Sequence, residues 1–159
     1  MKEKNTTLEI ILQALDDKES FLDVSSTDFS KRLKQRGFSE EHIEIASTWV
    51  MQLMQQQALF ANVPPIPRGL RIFTREETEK LDLECRNFIL GLEYEQILEP
   101  KTREILINQL LLLNHNIITV YDIKLVTLMI LLLQPNSDEK TQKIERFALK
   151  SGINLCKLS

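Results

Sequence analysis

Residues 120–133 read Val-Tyr-Asp-Ile-Lys-Leu-Val-Thr-Leu-Met-Ile-Leu-Leu-Leu, and a helix of this sequence is apolar nearly all the way round. Such a helix has to be enclosed on most sides, so the segment predicts a central buried helix with the rest of the second half packed around it. Thr119 with Asp122 supplies its start signal, and Pro135 stops it. Its most apolar part, Leu125 to Leu133, contains Thr127 and falls far short of the ~20 residues that a membrane span needs. Enclosure by protein, not lipid, is the expectation.

The enclosing elements are legible on either side. Thr74 followed by Glu77 is a capping box, and Leu81, Cys85, Phe88, Ile89 and Leu92 then recur at helical spacing as one apolar stripe. Glu99-Pro100 restarts the chain, because proline suits a first helical position, and Ile107, Leu110 and Leu111 point inward from the helix that follows. The short turn between these two helices predicts an antiparallel hairpin. Asn136 with Glu139 marks a last helix whose inner face is Ile144, Phe147 and Ala148 and which stops before Gly152.

The first half gives three more helices. Thr6 with Glu9 starts one that carries Leu8, Ile11, Leu12 and Leu15; Phe21-Leu22-Asp23-Val24 then suits an extended segment or a buried loop. Ser26-Thr27-Asp28 offers caps for a second helix with Phe29 and Leu33 inside, ended by Gly37. Ser39 caps a third, with Glu40 and Glu41 in its first turn, that runs to about Gln57 with Ile43, Ala46, Val50 and Leu53 inside and Trp49 and Met54 widening the face. Pro64, Pro65, Pro67 and Gly69 are incompatible with helix. The expectation is an all-α chain of about seven helices: a helical part over 1–60, a Pro-rich connector over 61–73, a four-helix part over 74–150 and a tail over 151–159. Only 4 glycines and a 43% hydrophobic share agree with a helical, well-cored protein.

The run Arg71-Ile72-Phe73-Thr74, then Glu76-Glu77, Leu81-Asp82, Cys85-Arg86, Phe88, Leu92-Glu93 and, after the turn, Thr102-Arg103-Glu104 with Ile107, resembles the core of the bacterial Smg family. The resemblance covers about forty residues and continues more weakly through Asp122-Ile123-Lys124. It implies a small, cytoplasmic, helical protein to which no enzymatic activity is attached. Two departures stand out: Leu125 where relatives often have tryptophan, and a first helix without the aromatic residues common there.

Most chemistries lack their residues. His42, Cys85, His115 and Cys156 stand apart, with no pair at ligand spacing, so neither a metal nor a Cys–His nucleophile is expected. The glycines, Gly37, Gly69, Gly91 and Gly152, form no phosphate loop, and no cofactor is expected. Two distant cysteines read as free thiols in a reducing compartment. Arg71, Glu76, Glu77, Arg86, Glu93, Arg103 and Glu104 are the candidate functional set. Either they fix the hairpin through caps, helix-surface pairs and a partly buried bridge from Arg86 or Arg103 to Glu93, or Arg71, Arg86 and Arg103 anchor a partner's acidic residues or a carboxylate or phosphate.

The function expected is a non-catalytic interaction or adaptor role with a protein partner and no membrane. The alternative is nucleic-acid binding, linked to DNA processing, through a winged-helix-like first half, whose order of elements the first 73 residues follow. Lys31, Arg32, Lys34 and Arg36 would carry it, since the helix after the Gly37 turn begins with Glu40, Glu41 and Glu44, which repel phosphates. A net charge of −3 lends that alternative no global attraction.

Overall fold

The computed structural model describes residues 7–10, 27–113 and 117–152. Those residues are helices and the segments that join them, without a strand. Residues 7–10 are helical, with Leu8 and Ile10 buried. Seven further helices follow: α1 (Thr27–Gln35), α2 (Glu40–Ala61), α3 (Arg75–Lys80), α4 (Leu83–Tyr94), α5 (Pro100–Leu111), α6 (Val120–Leu132) and α7 (Asp138–Ser151). The rest of the expected first helix, the Phe21–Val24 segment, His115 and Cys156 lie outside the described residues. A winged-helix arrangement is not shown by those that are described.

The chain divides into two compact units, one within Met1–Gln52 and the other Leu53–Asn154. In the first, α1 ends at a left-handed Gly37 (φ +95°), where a side chain would be strained, and Phe38 N–H closes back on Leu33 O at 3.2 Å. Leu33, Ile43, Ala46, Trp49 and Val50 are buried. The helix expected to stop near Gln57 continues to Ala61, because Ala58-Leu59-Phe60-Ala61 contains nothing that breaks a helix. Met54, expected to widen the inner face, is exposed.

In the second unit, α6 packs against α4, α5 and α7, and Ile123, Leu125, Val126, Leu128, Met129, Ile130 and Leu131 are all buried. The enclosure that its sequence demands is therefore present. The capping boxes at Thr74/Glu77 and Thr119/Asp122 both form. Ser137, not Asn136, caps α7, accepting from Lys140 N–H at 3.1 Å. The helix expected to run unbroken from Thr74 through Leu92 is two helices. Asp82 accepts from Cys85 N–H at 2.8 Å and caps a new start, which the stripe of Leu81, Cys85, Ile89 and Leu92 conceals because it keeps its period across the break.

Three inward assignments change. Phe88, Leu111 and Ile144 are only half-buried, and the Phe88 ring carries the ammonium groups of Lys124 and Lys150, each 5.9 Å from its centroid. Phe147 and Ala148 are buried as expected. Lysine also ends four of these helices. Lys101 Nζ donates to Phe60 O in the last turn of α2 and to Val63 O just after it, Lys80 to Leu111 O on α5, Lys140 to Leu132 O at the end of α6 and to Gln134 O after it, and Lys124 to Ser151 O on α7. An ammonium there satisfies orphan carbonyls and meets the negative end of the helix dipole.

Candidate functional site

The site begins with Arg71, the first charged side chain after the proline cluster to turn back toward the helices. Extended backbone sends successive side chains to opposite sides, and the exposures follow suit: Leu70 and Ile72 are 93% and 77% exposed, while Arg71 and Phe73 between and after them are partly buried. The Arg71 guanidinium lies over the Phe73 ring at 5.1 Å, a cation–π contact that orients its plane.

From there Arg71 meets two carboxylates from two helices. Its Nη1 and Nη2 donate to Glu77 Oε2 and Oε1 at 2.9 and 2.8 Å, and its Nε and Nη2 to Glu104 Oε1 and Oε2 at 2.8 and 3.1 Å. Nη1 also donates to Ile72 O at 2.6 Å. Those five bonds match the five N–H donors of an arginine, so the group is saturated. Glu77 is at the same time the third residue of the α3 capping box and accepts from Thr74 N–H at 2.9 Å. One carboxylate thus both starts α3 and holds the connector's last residues against it.

Glu104 passes the network on. Arg103 donates to Glu104 Oε1 from Nε and Nη2 at 3.1 and 2.7 Å, and from Nη1 to Glu93 Oε1 and Oε2 at 2.9 and 2.8 Å. Arg103 on α5 therefore bridges to Glu93 on α4, the bridge that fixes the hairpin. The five groups run Glu77, Arg71, Glu104, Arg103, Glu93, with opposite charges alternating along the chain of contacts. All five side chains are largely withdrawn from water, from 6% exposed for Arg103 to 22% for Glu104.

The electrostatics follow. Hydrogen bonds from Arg71 hold the Glu77 carboxyl below its usual range against the opposing effect of burial, and Thr74 N–H adds to them. Burial pushes Glu104 up, but the bonds from Arg71 and Arg103 outweigh it, and its carboxyl too is held below the ordinary value. Arg71 is held still more firmly protonated by Glu77 and Glu104. These interactions favour the charged forms of Arg71, Glu77 and Glu104.

The other candidates are placed elsewhere. Glu76 is exposed on α3, outside the network. Arg86 is half-buried and reaches Asp82 O in its own turn at 3.4 Å, and no bridge joins it to Glu93. Lys31, Arg32 and Lys34 on α1 and Arg36 in the turn after it are exposed, and Lys34 pairs with Glu40 at the start of α2 at 2.8 Å. Cys85 is buried, donates to Ile118 O at 3.3 Å, and has its thiol pushed up to about 12 by burial and by Asp82, which keeps it protonated and unreactive. Among the described residues no group of three or more His, Cys, Asp or Glu is placed to hold a metal ion, and no helix is long and apolar enough to cross a membrane.

What sequence reading did not find is the link from Arg71 to Glu104, 33 residues apart, and the role of Phe73 beneath it. The alternation of Leu70, Arg71, Ile72 and Phe73 before a capping box was the available signal.

Residues 10–155 match the family model described as "Protein of unknown function (DUF494)". The chain is 37% identical over 119 residues to a Protein Smg homolog of Methylococcus capsulatus, covering 75% of each protein. It is 35% identical over 140 residues to Protein Smg of Escherichia coli O9:H4, covering 85% of this chain and 89% of that one, and 33% identical over 126 residues to a Protein Smg homolog of Shewanella sp. strain ANA-3, covering 77% and 78%. No solved structure matches.

Proposed function

The chain belongs to the Smg family, the proteins of unknown function DUF494, and from that membership we propose a non-catalytic interaction role in which the connector over 62–73 is the surface offered to a protein partner. One observation carries this reading: the Arg71 network is spent entirely inside the molecule, and its effect is to pin the end of an exposed segment whose apolar side chains, Leu70 and Ile72, stand in solvent. Large apolar groups held rigidly in water are what a partner surface gains by covering. Under this reading Arg71, Glu77, Glu93, Arg103 and Glu104 position the surface and do not touch the partner. A ligand's carboxylate would find every donor of Arg71 already engaged.

The test is capture from native cells with the tagged full-length chain, with and without nuclease, beside the Leu70→Ser/Ile72→Ser variant. Both positions are exposed, so the variant should melt with the parent. Loss of a nuclease-resistant partner from the variant is the expected result. Undiminished capture by the variant refutes the proposal. Capture that disappears on nuclease treatment and in a Lys31→Glu/Arg32→Glu variant would instead favour the nucleic-acid alternative.

A further inference from the structure

We infer that residues 63–70, Val-Pro-Pro-Ile-Pro-Arg-Gly-Leu, are themselves a peptide ligand: a polyproline ridge read by a partner protein with an aromatic-lined groove and a carboxylate at its edge. The inference rests on the interaction role above and names the partner's chemistry.

Covalent sterics fix the conformation before any contact is made. Proline holds φ near −65° at positions 64, 65 and 67, and a residue that precedes proline is driven out of the helical region, which applies to Val63, Pro64 and Ile66. Five consecutive residues are thereby confined to extended or polyproline backbone. Gly69 does not adopt a positive φ and so makes no left-handed break in the run.

A polyproline helix has three residues per turn, which sorts the side chains by edge. Pro64, Pro67 and Leu70 share one edge, and all three are exposed. Pro65 and Arg68 share the second, exposed as well, while Ile66, the one half-buried residue from 62 to 70, lies on the third edge with Val63 and Gly69. The segment thus rests on Ile66 and turns an apolar ridge outward.

Both ends are anchored. Lys101 holds Phe60 O and Val63 O at the start, and the four bonds of Arg71 to Glu77 and Glu104 hold the finish. Between the anchors the backbone N–H groups of Ile66, Arg68, Gly69 and Leu70 make no hydrogen bond with any described residue, and neither does the Arg68 side chain. A segment held at both ends loses little conformational entropy when a groove closes on it, and an unpaired guanidinium beside the ridge is matched by a carboxylate. Strand addition, the other way to read an extended segment, fits worse: prolines at 64, 65 and 67 remove three of the donors that a ladder needs.

The experiment uses the full-length tagged chain in native lysate after nuclease treatment, with three variants: Pro64→Ala/Pro67→Ala, Arg68→Glu, and Leu70→Ser/Ile72→Ser. The competitor is a synthetic peptide of residues 61–74, with the same peptide carrying both alanines as its control. The expected result is a captured protein whose retention falls at least tenfold in each variant and which the native peptide elutes while the alanine peptide does not. Equal melting temperatures establish that the variants are folded. Capture lost in Leu70→Ser/Ile72→Ser but indifferent to the prolines and to Arg68 overturns the groove inference and leaves the interaction role standing. Capture indifferent to all three variants, or abolished by nuclease, overturns both.

Discussion

Arg103→Met removes the guanidinium that joins α4 to α5 and leaves an unbranched apolar side chain in place of its stem. Four hydrogen bonds disappear, two to Glu93 and two to Glu104. Counted separately at about 1.5–3 kcal/mol each they would sum to far more than the variant can lose, because bonds that share acceptors are not additive. Glu104 keeps its two bonds from Arg71, whereas Glu93 loses the one side-chain partner described for it and is only 13% exposed. Stranding one partner of a buried pair costs about 3–5 kcal/mol, and the residual exposure of Glu93 places the expectation near the lower end. The same principle says that replacing both members by apolar groups is close to neutral, so Glu93→Leu/Arg103→Met should recover most of the loss. Urea denaturation at pH 7 measures both, provided that the m-value is unchanged. A single-variant cost below about 1 kcal/mol would place the pair among solvent-screened surface bridges and refute the claim that the network is structural.

Other expectations are independent of that pair. Phe147→Ala should cost about 3–5 kcal/mol and Phe88→Ala less than half as much, since the first ring is buried and the second sits at the rim beneath two lysines; equal costs by urea denaturation would overturn that placement. Thr127→Val should stabilise the chain by about 1 kcal/mol, because the Thr127 hydroxyl is fully buried with no described partner and valine keeps its shape; a loss in thermal melting would show that the hydroxyl is satisfied. Because Glu77 and Glu104 have folded-state values held below the ordinary carboxyl range, their contribution is complete above about pH 5 and is lost as pH falls through those lower values. Arg71→Gln should therefore flatten the acid limb of a stability–pH profile, and an unchanged limb would contradict the assignment. Titration with labelled duplex at several salt concentrations should show at most a weak affinity that falls steeply with salt.

The parts of the fold that rest on local chemistry were legible. Thr74/Glu77 and Thr119/Asp122 are reciprocal bonds within four residues, and the enclosure of α6 follows from the absence of a polar face on residues 120–133. What a period cannot reveal is a break that preserves it, which is why the Asp82 cap between α3 and α4 was missed although an N-cap residue stood in plain view. The candidate charges were found as a set because they cluster in sequence around two helix starts. Their sorting needed tertiary distance: Arg103 and Glu93 face each other across the hairpin, Arg86 on the helix of Glu93 turns back to Asp82 O instead, and Arg71 reaches Glu104 from a segment with no helical periodicity. The lysines that end four helices, Lys80, Lys101, Lys124 and Lys140, were not singled out by sequence, since the carbonyls that they cap lie on other segments of the chain or past a turn.

The central claim is that the connector stands displayed in solvent and is held there by the Arg71 network. Limited trypsin digestion of the full-length chain measures this at the Arg68–Gly69 bond. Among tryptic sites within residues 53–152, the first cut should follow Arg68, because the other sites lie in helices or, like Arg71, are engaged. The rate of that cut should rise in Arg71→Gln, where the segment is released at one end. A parent chain that resists at Arg68 while being cut first within α5 or α7, or a cleavage rate at Arg68 that Arg71→Gln leaves unchanged, would contradict the account.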